Sequence, residues 1–394
     1  MGHTTRTLAF DAAGNLYVSI GSAGNVDEDS YRSRIRRFSI DDLPAGGLNF
    51  GDGEVFADGL RNEVGLAFDK HGVLWGVENG ADRLVRGDLG GDIHNENPAE
   101  ELNRFPEAKA GRHWGYPFCW TEFELGAVGR GAGSVWAWPP INSDWTHDDS
   151  WCRAETEPSI MAMQAHSAPL GITFFNVSTP TKPPHSLVEC TGGFPAHMLG
   201  DAFVGFHGSW NRDTPTDKVV HIPMNTKGAP CFSAPNDFLC HAGGTAKWPS
   251  GSRPVDVRFD SCGRLLVSDD GANQVLMIRY TSADEGSAAS AGSCSATSPP
   301  SSQSSASTPS SATTTPIPSV FSTGVSSSPP PGALLMSTLT TPSPSVTSTV
   351  LSSSPSPDAL LVSTPATAGP AIWNLSLPFY ILSAVYTLAL AANF

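Results

Sequence analysis

The sequence predicts an all-β fold of the β-propeller class followed by a long unstructured tail, and three observations carry that prediction. One hairpin pattern occurs three times, as Leu8-Ala-Phe-Asp-Ala-Ala-Gly-Asn-Leu-Tyr-Val18, Leu66-Ala-Phe-Asp-Lys-His-Gly-Val-Leu-Trp75 and Val257-Arg-Phe-Asp-Ser-Cys-Gly-Arg-Leu-Leu-Val267. Each copy reads aromatic, Asp, two variable residues, Gly, one more residue, then an apolar run. Polar residues gather at the same strand ends of successive copies. The composition then changes abruptly near Glu285. A sheet made of such hairpins cannot bury both faces alone, so recurrence with long insertions points to blades packed around an axis. A β-sandwich of repeated hairpins is the competing architecture. The repeats supply material for about four blades.

Taken in order, Leu8 to Ser22 forms the first hairpin, and an acidic loop at Asn25 to Asp29 follows. Acids of this kind are more often solvated than calcium-binding, and so are Glu100 and Glu101. Arg34 to Ile40 alternates and is expected as a strand with its basic side toward solvent or a groove. The organising stretch is Gly59-Leu-Arg-Asn-Glu-Val-Gly-Leu-Ala-Phe68. It turns at Asp69 to Gly72 and returns as Val73 to Val77, a hairpin signature. Residues Gly87 to Leu102 read as a long polar loop, and a loop of that length is usually functional or disordered. Trp114 to Trp151, dense in Trp, Gly and Pro, reads as an irregular insertion. Further strands are expected at Ile172 to Phe175, Ala202 to Phe206, Lys218 to Pro223, Val255 to Ser268 as a hairpin, and Gln274 to Arg279.

The composition bounds the function. The chain has 394 residues and a formal net charge of −15, nearly all of it before Glu285, since only Asp358 is charged beyond that point. An acidic surface repels phosphate backbones, which excludes nucleic acid as a natural partner. Residues 282–364 are rich in Ser, Thr, Pro and Ala and have too little apolar area to offset the cost of ordering, about 1–2 kcal/mol per residue; they are expected to form a disordered, O-glycosylated stalk. The domain division is therefore 1–281, 282–364 and 365–394. Seven cysteines without a Cys-x-x-Cys pair favour disulfides in an oxidising compartment, with Cys119–Cys152 and Cys231–Cys240 as the expected bridges. Asn176-Val-Ser178 is an N-glycosylation acceptor.

Small residues at Ala366-Thr-Ala368, a short polar spacer and the apolar run to Phe394 match a GPI-attachment signal, with a tail-anchored transmembrane helix as the alternative. No Lys or Arg flanks the run closely, which favours the lipid anchor. A cell-surface protein needs an export signal. Met1-Gly-His-Thr-Thr-Arg6 has no apolar core of that kind, so the sequence is expected to start late, after a signal peptide and further blades.

Four polar clusters lie at equivalent strand ends: His3, Arg61-Asn62, His207 to Arg212, and Arg253. In a propeller such ends converge on the central channel, where guanidinium groups and imidazoles would suit an anionic cofactor or substrate. Each has a plainer reading alone, as a solvated charge or a cap.

Gly2-His-Thr-Thr-Arg-Thr-Leu-Ala-Phe10, Gly59 to Phe68, Gly76-Val-Glu-Asn-Gly-Ala-Asp82, Phe206-His-Gly-Ser-Trp-Asn-Arg212 and Arg253-Pro-Val-Asp-Val257 resemble the sorbosone dehydrogenase and soluble quinoprotein glucose dehydrogenase family. The likeness is strongest to the fungal pyrroloquinoline quinone (PQQ)-dependent pyranose dehydrogenases, and it spans roughly His3 to Tyr280. It implies a six-bladed propeller with PQQ and calcium on its axis, and oxidation of the anomeric carbon of aldoses, related pyranoses or sorbosone. It implies His3 as general base, and Arg61 as the group stabilising charge on the quinone oxygen with Asn62 assisting. Arg253 matches a ligand of a PQQ carboxylate, and His207, Trp210 and Arg212 line the pocket. Gly80 and Ala81 match the carbonyls offered to calcium, with Ala81 where some relatives carry proline. The implied partners are a sugar and an electron acceptor: a haem domain, a protein or a quinone. A non-catalytic propeller on a stalk, for wall binding or adhesion, is the alternative.

Overall fold

The computed structural model describes residues 3, 6–29, 31–41, 44, 46–138, 146–177, 190–209, 216–240, 251–280 and 346–350. Four antiparallel sheets follow one another along these residues, each keeping its strands in chain order. The first contains Arg6–Phe10, Leu16–Ile20, Arg34–Phe38 and Glu54–Asp58, with the short Arg112–His113 added in parallel at its edge. The second contains Glu63–Phe68, Leu74–Glu78, Glu100–Phe105 and Met161–Met163. The third contains Pro169–Phe174, Ala202–Phe206, Lys218–Ile222 and Asn236–Leu239, and the fourth Pro254–Phe259, Leu265–Asp269, Gln274–Tyr280 and Val346–Val350.

The first strands of successive sheets lie side by side, Arg6–Phe10 on Glu63–Phe68, that on Pro169–Phe174, and that on Pro254–Phe259. This is the propeller-like arrangement. Close approach of the backbones needs glycine: a Cβ on Gly65 would stand 2.7 Å from the Leu170 carbonyl, and one on Gly171 2.5 Å from Asp256 Oδ1. Apolar layers fill the spaces between sheets. Tyr17, Ile35, Leu66, Leu74 and Phe105 pack between the first and second, Trp75, Val77, Met163, Ile172 and Phe206 between the second and third, and Phe175, Phe203, Val257 and Leu265 between the third and fourth. Neighbours Leu74 and Trp75 thus serve opposite layers, as strand alternation requires.

The repeated Asp-x-x-Gly is an Asx-type turn. Asp69 Oδ1 accepts from His71 N and Val73 N, Asp11 Oδ1 from Ala13 N and Asn15 N, and Asp260 Oδ1 from Cys262 N and Arg264 N. Gly14, Gly72 and Gly263 take the left-handed φ of +87°, +73° and +76° that closes each hairpin. The second oxygen of each Asp clamps the returning strand through Tyr17, Trp75 or Arg264.

Several expectations change. The basic side of Arg34–Phe38 faces inward: Arg34 pairs with Asp58 at 2.9 Å, and Arg36 donates to the Gly53 carbonyl while lying over Phe50. An arginine can be buried when carbonyls and a carboxylate take its donors. Residues 87–102 are not one loop, because Glu100 begins the third strand of the second sheet and both Glu100 and Glu101 turn away from bulk solvent. The insertion from Trp114 contains a hairpin, Cys119–Thr121 with Val135–Ala137, and a helix, Asp149–Glu155, tied by Cys119–Cys152. The pairing Cys231–Cys240 is wrong: Cys240 is free and exposed, Cys231 is bonded elsewhere, and Cys190–Cys262 is the second bridge among the described residues. Inside the expected stalk, Val346–Val350 pairs with Gln274–Tyr280 as the last strand of the fourth sheet. Edge pairing uses main-chain groups only, so low charge and β-branched residues suffice. The remainder of 281–394, including the attachment signal, lies outside the described residues, as does Ser178 of the acceptor triplet.

Candidate active site

The corner before the second sheet's first strand buries Arg61 to 5 % and Asn62 to 6 % exposure. The Arg61 main-chain N–H donates to Glu78 Oε1 at 2.5 Å, and its carbonyl accepts from Ser22 N at 2.8 Å. A guanidinium has five N–H bonds. Those of Arg61 reach Asn25 O (3.2 Å), Asn25 Oδ1 (3.0 Å), Asn79 O (3.1 Å), Gly80 O (2.6 Å) and Asp82 Oδ2 (3.3 Å). Asn25 and Asp82 hold each other reciprocally, Asn25 Nδ2 to Asp82 O and Asp82 N to Asn25 Oδ1, each at 2.7 Å. Asn62 Nδ2 donates to Asn79 Oδ1 at 3.1 Å.

His3 sits against this corner. Its main-chain N–H donates to Ser22 O, and its Nδ1 lies 3.1 Å from the same carbonyl and 2.9 Å from Ser22 Oγ. A carbonyl only accepts, and Ser22 Oγ already donates to Gly24 O at 2.6 Å. Nδ1 therefore carries the proton, leaving Nε2 with its lone pair. Burial, then the charge of Arg61, lowers the His3 pKa to about 4, so the ring is neutral at neutral pH. Gly21 makes the approach possible, since a Cβ there would lie 2.3 Å from Asn62 Oδ1 and 3.1 Å from His3 Cβ.

Beneath Arg61, on the face of the second sheet toward the first, lies a buried carboxyl cluster. Asn103 Nδ2 is within 3.2 Å of Glu63, 3.1 Å of Glu78 and 3.3 Å of Glu101. Two amide hydrogens cannot serve three carboxylates. Burial drives all three pKa values up, and repulsion from neighbouring carboxylates adds to it at Glu63 and Glu78, which lie well above the usual range. Glycine at position 76 leaves room for Glu63, whose Oε1 would meet a Cβ at 2.0 Å. Glu100 accepts from Gly80 N at 2.7 Å and Ala168 N at 3.0 Å, and burial raises its pKa to about 7.

A second group forms between the third and fourth sheets. Arg253 is exposed, donates through Nε to His207 O at 3.0 Å and through Nη2 to Gly208 O at 2.8 Å, and its main-chain N–H is held by Asp269. His207 Nε2 lies 2.9 Å from Asp270 Oδ1. The turn His166 to Ala168 links the two groups: Ala168 O and Ser167 O accept from His207 N and Gly208 N, and Asp82 acts electrostatically on His166. His166 and Ala168 hold positive φ of 55° and 47° at this junction. His3, Arg61, Asn62, Gly80, His207 and Arg253 thus belong to one continuous edge, whereas Trp210 and Arg212 lie outside the described residues.

Among the described residues no three His, Cys, Asp or Glu side chains converge as metal ligands; the oxygens gathered at this corner are carbonyls and the single carboxylate of Asp82. The Gly80 carbonyl suits calcium chemically, and in this structure it accepts from Arg61 Nη1 at 2.6 Å. Guanidinium groups, an amide and a neutral imidazole likewise suit a carboxylated quinone. Sequence reasoning missed Ser22, Gly21 and Asn25, and gave Glu78, inside a quoted motif, no role. Asp82 stood inside a quoted motif without a role. Only Gly21-Ser22, small residues ending a strand beside the His3 cluster, offered a signal.

Residues 1–281 match the TrAA12-like family. The chain belongs to that family. Relatives of this chain include the Pyrroloquinoline quinone-dependent pyranose dehydrogenase of Coprinopsis cinerea, 30% identical over 71% of this chain and 40% of the relative, and the Pyrroloquinoline quinone-dependent sugar dehydrogenase of Hypocrea jecorina, 30% identical over 72% and 64%. The chain thus spans less than two thirds of these relatives. Its fold is similar to the calcium structure of Trichoderma reesei Carbohydrate-Active Enzymes Family AA12, at a TM-score of 0.59 and 29% identity over 70% of this chain and 68% of that one. It is also similar to the holo form of the pyranose dehydrogenase PQQ domain from Coprinopsis cinerea, at 0.59 and 27% over 70% and 69%.

Proposed function

We propose that this TrAA12-like chain carries the catalytic edge of a PQQ- and calcium-dependent dehydrogenase that oxidises the anomeric carbon of an aldose or related pyranose. The observation that carries the reading is the neutral His3 ring, with Nδ1–H fixed on Ser22 and Nε2 bare, next to the buried Arg61. His3 Nε2 takes the proton of the sugar's anomeric hydroxyl. Bound PQQ supplies the hydride acceptor. Arg61 and Asn62 present positive charge and an amide donor where negative charge develops, and Arg253, with His207 behind it, grips a carboxylate. The carbonyls of Gly80 and Ala81 hold calcium.

In this reading the four sheets are blades of a six-bladed ring. The protein works outside the cell, on a Ser/Thr/Pro-rich stalk with a GPI anchor. The disulfides Cys119–Cys152 and Cys190–Cys262 support an oxidising compartment. Among the described residues no helix is long and apolar enough to cross a membrane. The electron acceptor is a haem domain, a protein or a quinone. Full chain loaded with calcium and PQQ should reduce a redox dye when given an aldose, and His3→Ala should lower kcat by roughly 10²–10⁴-fold. Cofactor uptake with no turnover of any aldose would leave the non-catalytic propeller as the better reading.

A further inference from the structure

The oxygens around Arg61 form a cradle that a guanidinium fills completely. Asn25 contributes its carbonyl and side-chain oxygens, Asn79 and Gly80 their carbonyls, and Asp82 a carboxylate oxygen, all within 3.3 Å of one planar cation. The reciprocal Asn25–Asp82 bonds fix the two loops that bring these atoms together, and Tyr116 Oη, donating to Asn25 O at 3.2 Å, braces one of them. Carbonyl and carboxylate oxygens in this arrangement are also what a hard divalent cation selects. Gly80 O belongs to both descriptions, because it accepts the shortest bond of the Arg61 side chain and is the carbonyl offered to calcium. A calcium ion at about 2.3–2.6 Å from Gly80 O would stand within roughly 5 Å of Nη1, two like charges drawn to one oxygen.

We propose that Arg61 and calcium compete for this cradle, so that calcium loading expels the guanidinium from Gly80 O and turns it toward the cofactor. Arg61 is then a built-in cation that keeps the calcium site closed. An anionic cofactor between the two cations relieves their repulsion, so calcium and cofactor bind with positive cooperativity. This rests on calcium being a partner of the proposed function, and calcium alone is the probe.

Calcium is titrated calorimetrically into chelator-treated full chain without PQQ or sugar. Arg61→Met is expected to bind calcium about tenfold tighter than wild type or better, and Asp82→Asn more weakly than wild type. Equal or weaker binding by Arg61→Met overturns the proposal. Should that variant not fold, a crystal structure of the wild-type chain grown with calcium decides: the guanidinium is expected beyond hydrogen-bond distance of Gly80 O, and calcium and Arg61 sharing that oxygen overturns the inference. Dye reduction is scored separately. Its failure alongside the calcium results described would count against the enzyme reading alone.

Discussion

Ser22 fixes His3 through two acceptors, a carbonyl and a hydroxyl, and this redundancy sets what each substitution does. Ser22→Ala leaves the carbonyl in place, so kcat should fall by roughly fivefold, about 1 kcal/mol, with KM little changed. A loss as large as that of His3→Ala would show that the hydroxyl does more than orient the ring. The pH dependence follows from burial and Arg61, which lower the His3 pKa from 6.5 to about 4. The free base persists down to that lower value, so the acidic limb of kcat/KM belongs near pH 4 rather than 6.5. Stability has the same sign. Between these pH values the unfolded ring binds a proton that the folded one does not, so folding weakens as pH falls through the window and His3→Gln flattens the trend in urea midpoints.

At the scale of elements, the strand Leu74–Glu78 joins the site to the core. Its alternate residues enter apolar layers, while Glu78 holds the Arg61 amide from the strand's end. Glu78→Leu leaves that amide without its acceptor and should cost about 1–3 kcal/mol in unfolding free energy, with faster hydrogen exchange at Arg61. Glu78→Gln keeps an oxygen for the amide and should retain most of both. The elements themselves were largely legible in sequence, because Phe-Asp-x-x-Gly followed by an apolar run encodes a local turn: Asp69 and Gly72 need nothing beyond their own hairpin. Arg61, Asn62 and His3 were legible through their family motif. Asn25 and Glu78 were not, since their roles depend on contacts across 36 and 17 residues that no local pattern records. Arg34 and Arg36 misled for the same reason: the carboxylate and carbonyls that permit their burial come from the neighbouring strand and loop.

At the scale of the molecule, the candidate site draws residues from all four sheets, so its geometry depends on the apolar layers between them. Cys190–Cys262 crosses the last of these layers, linking the segment ahead of Ala202–Phe206 to the turn of the fourth sheet. Replacing both cysteines by alanine should lower stability by about 2–4 kcal/mol, read as a shift in thermal midpoint, while Cys240→Ser, at a free and exposed thiol, should leave it unchanged. The hairpin turns lie at the other end of the strands from His3 and Arg61. Ala12 and Ala13 are exposed there, and the adjoining Gly14 has no atom within 4 Å of where its Cβ would be. A peptide leash spliced between those alanines would fasten the protein to an electrode by its back, leaving the rim that carries the proposed site turned outward into solution.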